Sequence, residues 1–159
     1  MTTSSKSVIA PPARALNRVK RTMLITDLGF LTYWVLVSVG VITVGTSKIL
    51  SDWNWSFFIL DMIAIGTGLV SVLLPRTPTL PLMVISLSLT SAAGLMALNF
   101  YALRGEFDPQ WWIPNLWLFL FPVAGLIVVT RQMSRQNLQG LPRRRPTPHD
   151  EQSTSPSDN

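Results

Sequence analysis

The chain has 159 residues, of which 48% are hydrophobic and only 13% charged, and its net charge is +5 at pH 7. It contains no cysteine and one histidine, which excludes disulfides, thiolate nucleophiles and metal centres built from several Cys or His side chains. The apolar residues are concentrated between two polar ends, so the middle of the chain is expected to be a membrane domain rather than a water-soluble core.

The first segment, residues 1–22, is polar and basic and is predicted to be a cytoplasmic tail. The pair Pro11 and Pro12 argues against a continuous helix there. A cleaved secretory signal peptide is the alternative, but the apolar run that starts at Met23 is longer than a signal core and no clear small-residue cleavage site follows it. An uncleaved first membrane span is therefore favoured.

Four apolar segments within residues 23–130 have the length of about 20 residues that crosses a bilayer as a helix. The shortness of the connection between the second and third makes these two spans antiparallel neighbours. The predicted fold class is all-α, an integral membrane four-helix bundle with disordered basic tails. The expected spans are residues 23–45, 56–74, 80–103 and 111–130.

The second and third spans each carry small and polar side chains on one face, at spacings of three and four residues. Such residues let another helix approach closely, so these faces are predicted to contact protein rather than lipid. In the first span, Asp27 and Trp34 share a similar stripe. The two faces consist of Asp61, Ala64, Gly68, Ser71 and Pro75 in the second span, and of Ser86, Thr90, Ala93, Gly94, Ala97, Tyr101 and Arg104 in the third.

Four tryptophans flank the two loops that follow the first and third spans. Tryptophan is enriched where a membrane meets water, so these residues are predicted to form an interfacial aromatic belt at one leaflet. The first of these loops is expected over residues 46–55. The belt consists of Trp53, Trp55, Trp111 and Trp112.

The distribution of Lys and Arg predicts the orientation. Eleven of the 13 lie in the two tails or in the loop after the second span, and Lys48 and Arg104 lie in the other two loops. Both termini are therefore expected in the cytoplasm. Residues 131–159 are predicted to be a largely disordered cytoplasmic tail, in which Arg143, Arg144 and Arg145 either bind anionic lipid headgroups, at about 1 kcal/mol each, or only anchor the orientation.

Two carboxylates fall inside the predicted spans, where an acid costs about 2.5–3.5 kcal/mol near the helix centre. Asp61 is expected at the centre of a polar site in the outer half of the bundle, with Asn115 and with the long side chain of Arg104. Asp27 is expected nearer the cytoplasmic side, and its different depth argues against an aspartyl protease dyad. Each acid is either a structural group or a coupling site. The arginines expected to pair with Asp27 are Arg21, Arg76 or Arg131.

Several short motifs occur in an order that resembles a known family. They are TDLGF at residues 26–30, WNWSFF at residues 53–58, RGEFD at residues 104–108 and WWIPNL at residues 111–116. Over residues 23–129 the chain is similar to the YvaD-like family of small bacterial four-span membrane proteins. That family has no assigned activity, so the resemblance implies a bacterial four-helix membrane protein and brings no catalytic residues.

Three functions remain open from the sequence. The leading hypothesis is a non-enzymatic interaction or accessory subunit, with another membrane protein or a second copy as its partner. The alternative is a small ion- or solute-coupled transporter that acts as an oligomer, with Asp61 and Asp27 as coupling sites. An enzyme acting on lipids ranks third, because no nucleophile and base pair is recognisable. No cofactor, metal or nucleic-acid partner is expected.

The charge distribution makes the topology testable in a Gram-negative host. Alkaline phosphatase, which is active only in the periplasm, should be inactive when fused after Asn159 and active when inserted beside Lys48, because basic segments stay in the cytoplasm. The opposite pattern of activities would show that the orientation is inverted.

Overall fold

The structure is a computed structural model, and it describes residues 11–45, 47–73 and 79–140. Every regular element in these ranges is helical, which confirms the predicted all-α class. Four helical columns form the bundle, since two of the five helices follow each other almost without a break. The helices are α1 (Pro11–Ser38), α2 (Lys48–Ser56), α3 (Phe58–Leu73), α4 (Thr79–Arg104) and α5 (Pro109–Gly140).

Helix α1 lies closer to the amino terminus than predicted. The described part of α1 begins at Pro11, so the double proline does not prevent a helix. In the first turn of a helix the backbone N–H groups have no helical partner, so the missing N–H of proline breaks no hydrogen bond there. The helix ends at Ser38 rather than at residue 45, because Gly40 adopts a φ of 76°. The N–H of Val41 then donates to the Leu36 carbonyl at 2.9 Å, which is the glycine-based cap that terminates many helices.

The loop predicted over residues 46–55 is wrong, because most of it is helix α2. Ser47 caps this helix by accepting a hydrogen bond from the N–H of Leu50 at 3.3 Å. Phe57 separates α2 from α3 but keeps a right-handed helical conformation. Residues 48–73 therefore form a single long column that begins eight residues before the predicted second span.

Helix α4 agrees with the third predicted span to within a residue at each end, and it terminates at Gly105, which has a φ of 66°.

Asp108 then caps α5 through its side chain, which accepts from the N–H of Gln110 at 2.9 Å. The fourth span is predicted to end at residue 130, but α5 continues through residues 131–140, which form the first part of the predicted tail. Good helix formers occupy this stretch and no glycine or proline interrupts it before Gly140. Pro75, Arg76, Arg143, Arg144 and Arg145 lie outside the described residues.

Three of the columns are long and apolar enough to cross a membrane: residues 48–73, 79–104 and 109–136. Helix α1 is less apolar over a comparable length, because Arg21 and Asp27 lie within its last 18 residues and Gly40 ends it early. The chain therefore has the composition and architecture of an integral membrane helical bundle.

The columns form a closed ring, in which α4 contacts α3 and α5, and α1 contacts the same two helices from the other side. The small-residue face of α4 is buried as predicted from Ser86 to Tyr101, whereas Arg104 at its end is exposed. Asn99, on the far side of α4, is also exposed. Gly94 is the closest point: a Cβ added there would lie 2.7 Å from the Phe119 backbone nitrogen and 2.8 Å from the Asn115 carbonyl oxygen. The predicted role of this face as a helix contact is confirmed.

One end of the ring is closed by aliphatic packing. Helices α1, α4 and α5 contribute a continuous buried cluster there, and Gly125 allows α5 to lie against two of its members. The space described below lies toward the opposite end of the ring. The cluster consists of Val19, Met23, Met83, Leu87 and Val129.

The close approach at Gly94 predicts a large effect from a single methyl group. Gly94→Ala should destabilise the bundle by about 1–3 kcal/mol, because backbone rather than a movable side chain would have to give way. Gly66→Ala is the matched control: Gly66 is also helical, has no neighbouring atom in the way, and should be neutral or gain up to about 1 kcal/mol. Thermal unfolding in detergent, followed by tryptophan fluorescence, measures the difference, and equal stabilities would contradict the proposed contact.

Candidate binding cavity beside Asp61

Aromatic side chains join the helices at the end of the ring where α1 ends and α5 begins. Trp53 of α2 stacks on Phe100 of α4 with ring centroids 4.1 Å apart, and Tyr101 stacks on Trp111 of α5 at 6.1 Å. All four tryptophans of the predicted belt lie at this end. Their position relative to a membrane surface stays a prediction. Trp55 packs on Trp34 of α1, and Trp112 donates to the Glu106 carbonyl at 2.8 Å.

Asp61 lies on the inner face of α3 and is 2% exposed. Its Oδ2 accepts a hydrogen bond from the indole N–H of Trp34 at 3.1 Å, which ties α3 to α1. Its Oδ1 is also buried but has no hydrogen-bond partner among the described residues. A carboxylate oxygen that is buried without a partner is costly, so this atom marks a place where a ligand or a proton would be stabilising.

A second polar contact lies on the same side. Tyr33 of α1 donates its hydroxyl hydrogen to Oδ1 of Asn54 at 2.7 Å, and Asn54 is 7% exposed. Asn54 is not among the residues that the sequence predicts for the site, because it lies in the loop predicted over residues 46–55. One signal could have identified it: Asn54 and Asp61 are seven residues apart, which is two helical turns, so a continuous helix places both on one face.

These groups line a cavity of about 710 Å³ between α1, the α2–α3 column, α4 and α5. Asn115 of α5, predicted to be near Asp61, lines the same space, although its amide N–H donates to the Trp111 carbonyl within its own helix at 2.7 Å. Thr26 and Trp117, which share a hydrogen bond of 3.1 Å between α1 and α5, also contribute to the wall. The remaining wall is largely aliphatic and aromatic.

Arg104 does not take the predicted place beside Asp61. Its Nε pairs with the Glu106 carboxylate at 2.8 Å, its guanidinium lies over the Phe100 ring, and its side chain is 40% exposed. The turn at Gly105 places Glu106 close to the end of α4. Arg104 therefore pairs with an acid while its side chain stays exposed to solvent. The predicted pair of Arg104 with Asp61 is therefore wrong.

Asp27 is buried, at 2% exposure, on the face of α1 that meets α3 and α4. A Cβ added to Gly68 would overlap its Oδ2 and would lie 2.7 Å from Oγ of Ser86. Oδ2 of Asp27 and Oγ of Ser86 both lack a hydrogen-bond partner among the described residues. Gly68, which Asp27 contacts, lies two helical turns beyond Asp61 on α3. Asp27 and Asp61 are therefore about 10 Å apart along the helix axis.

The predicted pairing of Asp27 with Arg21 or Arg131 does not occur. Both arginines are exposed, and the ion pairs in the described part of the chain are Lys48 with Asp52 and Arg104 with Glu106. Arg21 is six residues from Asp27 and so points from a different side of α1. Within the described ranges, no three His, Cys, Asp or Glu side chains come together in a way that could hold a metal ion.

Comparison with known proteins agrees with the resemblance noted from the motifs. The profile of a "Family of unknown function (DUF5360)" matches residues 19–137. The "Uncharacterized protein YvaD" of Bacillus subtilis (strain 168) is 35% identical over 129 residues, which cover 76% of this chain and 97% of that protein. No solved structure matches the chain.

The bond between Trp34 and Asp61 predicts how substitutions at Asp61 will rank. Asp61→Asn retains an oxygen that can accept the indole N–H, whereas Asp61→Leu leaves that buried donor without an acceptor, so the Leu variant should be less stable by about 1–3 kcal/mol. Adding Trp34→Phe to Asp61→Leu removes the unpaired donor and should cost less than the sum of the two single changes. Unfolding in detergent measures these differences; equal stability of the Asn and Leu variants would contradict the hydrogen bond.

Proposed function

The chain belongs to the family of unknown function DUF5360, and we propose that it is a multi-pass plasma-membrane protein that binds a small solute or ion beside Asp61. In this proposal it acts without catalysis, as a small coupled carrier. The observation that carries the proposal is the unpartnered Oδ1 of a buried carboxylate in the wall of a cavity.

The cost of Asp61 supports a functional role. A carboxylate inside a spanning helix is unfavourable by about 2.5–3.5 kcal/mol, and such residues mark ion and substrate pathways when they face the interior of a bundle. Asp61 faces that interior, and its hydrogen-bonding capacity is only partly used. A bound solute would supply the missing partner.

The proposed orientation places both termini in the cytoplasm, from the excess of basic residues in the tails. The cavity then lies toward the outer side, because it extends to Ile42, beyond the end of α1, and to Gln110, at the start of α5. Asp27, with its own unpartnered oxygen beside Ser86, lies deeper and is the second candidate for coupling.

An accessory-subunit role stays a prediction from the sequence. Its support would be a surface that requires a protein partner, but the exposed apolar side chains of the long helices lie where a bilayer would cover them. Ile63, Leu95 and Leu120 are examples. The proposal therefore rests on Asp61 and the cavity that it lines, not on the outer apolar surface.

Cysteine labelling tests whether the cavity opens to the outer water, and the absence of native cysteine makes single variants clean. Gly29 lines the cavity and has no atom within 4 Å of an added Cβ, whereas Gly66 has equal space but lies outside the cavity. With a membrane-impermeant methanethiosulfonate added outside intact cells, Gly29→Cys should react and Gly66→Cys should not.

Lys48→Cys, in the exposed first turn of α2, is the positive control for outer exposure. If Gly29→Cys is as protected as Gly66→Cys while Lys48→Cys reacts, the cavity is closed to water and the proposed function fails.

A further inference from the structure

We propose that the cavity beside Asp61 is selective for organic cations, whose positive group binds Oδ1 of Asp61 while their apolar body lies against the aromatic wall. The inference rests on the proposed function and specifies the chemical class of its ligand. It follows from the charge of the wall, from its aromatic content and from the partners that its polar groups already have.

The charge of the wall has one sign. Among the described residues, Asp61 is the one carboxylic acid that lines the cavity, and no Lys, Arg or His lines it. The hydrogen-bond partner of Asp61 is the neutral indole of Trp34. An ionised carboxylate in this low-dielectric setting has no counter-charge from the described protein, so either a proton or a bound cation would compensate it. A cation is therefore the class of ligand that the ionised Asp61 favours.

The aromatic content of the wall suits a cation with an organic surface. Six Trp and Tyr side chains line the cavity, and the faces of such rings attract quaternary and other soft cations. The volume of about 710 Å³ lies within the range of about 300–1,000 Å³ that small-molecule sites occupy. The six are Tyr33, Trp34, Trp53, Tyr101, Trp111 and Trp117.

The polar groups of the wall disfavour other ligand classes. A metal ion requires several oxygen or nitrogen ligands, but Oδ1 of Asn54 is already bonded to Tyr33, and no cluster of three acids or histidines exists in the described ranges. An anionic solute would meet Asp61 with no described cation in the wall to offset the repulsion. A neutral apolar molecule would leave Oδ1 of Asp61 without a partner.

The test compares two probes of nearly equal shape and opposite charge, tetraphenylphosphonium and tetraphenylborate. Binding to the full-length protein in detergent is measured by isothermal titration, with protein-free micelles subtracted. Tetraphenylphosphonium should bind saturably and tetraphenylborate should not. Asp61→Asn, which keeps the Trp34 acceptor, should weaken tetraphenylphosphonium binding at least tenfold.

Filling the cavity provides an independent control that leaves the carboxylate in place. Gly29→Leu projects a side chain into the cavity without a clash at its Cβ and should abolish binding, whereas Gly66→Leu should bind as the unmodified chain does. Thermal unfolding of each variant shows that it is folded, so a loss of binding is not a loss of structure.

Three outcomes overturn the inference: equal binding of the two probes, unchanged affinity in a folded Asp61→Asn variant, or no saturable binding of tetraphenylphosphonium. The proposed function survives each of them if Gly29→Cys still reacts with the impermeant reagent, because the cavity then takes a solute of another class. If Gly29→Cys is protected as well, both proposals fail.

Discussion

The bundle depends on the close approach of α4 and α5 at Gly94. With no side chain at this position, the backbone of α5 at Asn115 and Phe119 lies within 2.7–2.8 Å of where a Cβ would be. The small residues on either side extend the contact along α4. In lipid no hydrophobic force drives helices together, so close backbone contact of this kind is a principal source of stability. The α4–α5 pair thereby provides a fixed wall against which the other columns are arranged.

Helix α1 completes the ring by two different kinds of contact. Near its start it packs aliphatic side chains, among them Val19 and Met23, against α4 and α5. Near its end it is held to α3 by the hydrogen bond from Trp34 to Asp61 and to α2 by that from Tyr33 to Asn54. The second contact leaves a gap toward α5, and the cavity lies in that gap.

The periodicity of small residues predicted much of this arrangement. The stripe from Asp61 to Ser71 and the face from Ser86 to Tyr101 are buried as expected, since helical spacing and residue size are local properties. The prediction from sequence is wrong where the same residue types are common both in loops and at helix ends. Ser47 and Asn54 lie in the loop predicted over residues 46–55, but Ser47 is a helix cap and Asn54 is a buried partner of Tyr33.

The errors at Arg104 and α1 have the same kind of cause. A long arginine reaches several acids, and which one it pairs with depends on the turn at Gly105, which places Glu106 nearby. For α1, a run of apolar residues continues past Ser38, but the conformation of Gly40 ends the helix. Hydropathy indicates which residues prefer lipid; it does not indicate where hydrogen bonding stops. Cavities are harder still to predict, because they arise where columns from distant parts of the chain fail to meet.

The hydrogen bond between Thr26 and Trp117 joins residues 91 positions apart, and it connects the first helix to the last. During synthesis α1 leaves the ribosome long before α5 exists, so the wall that they share cannot form until the final helix has entered the bilayer. Contacts of such long range slow assembly, because the intervening chain must be ordered first. Until then α1, with Asp27 and the basic residues that precede it, must be accommodated by lipid, water or the insertion machinery. The cavity is thus completed only when α5 has joined the bundle.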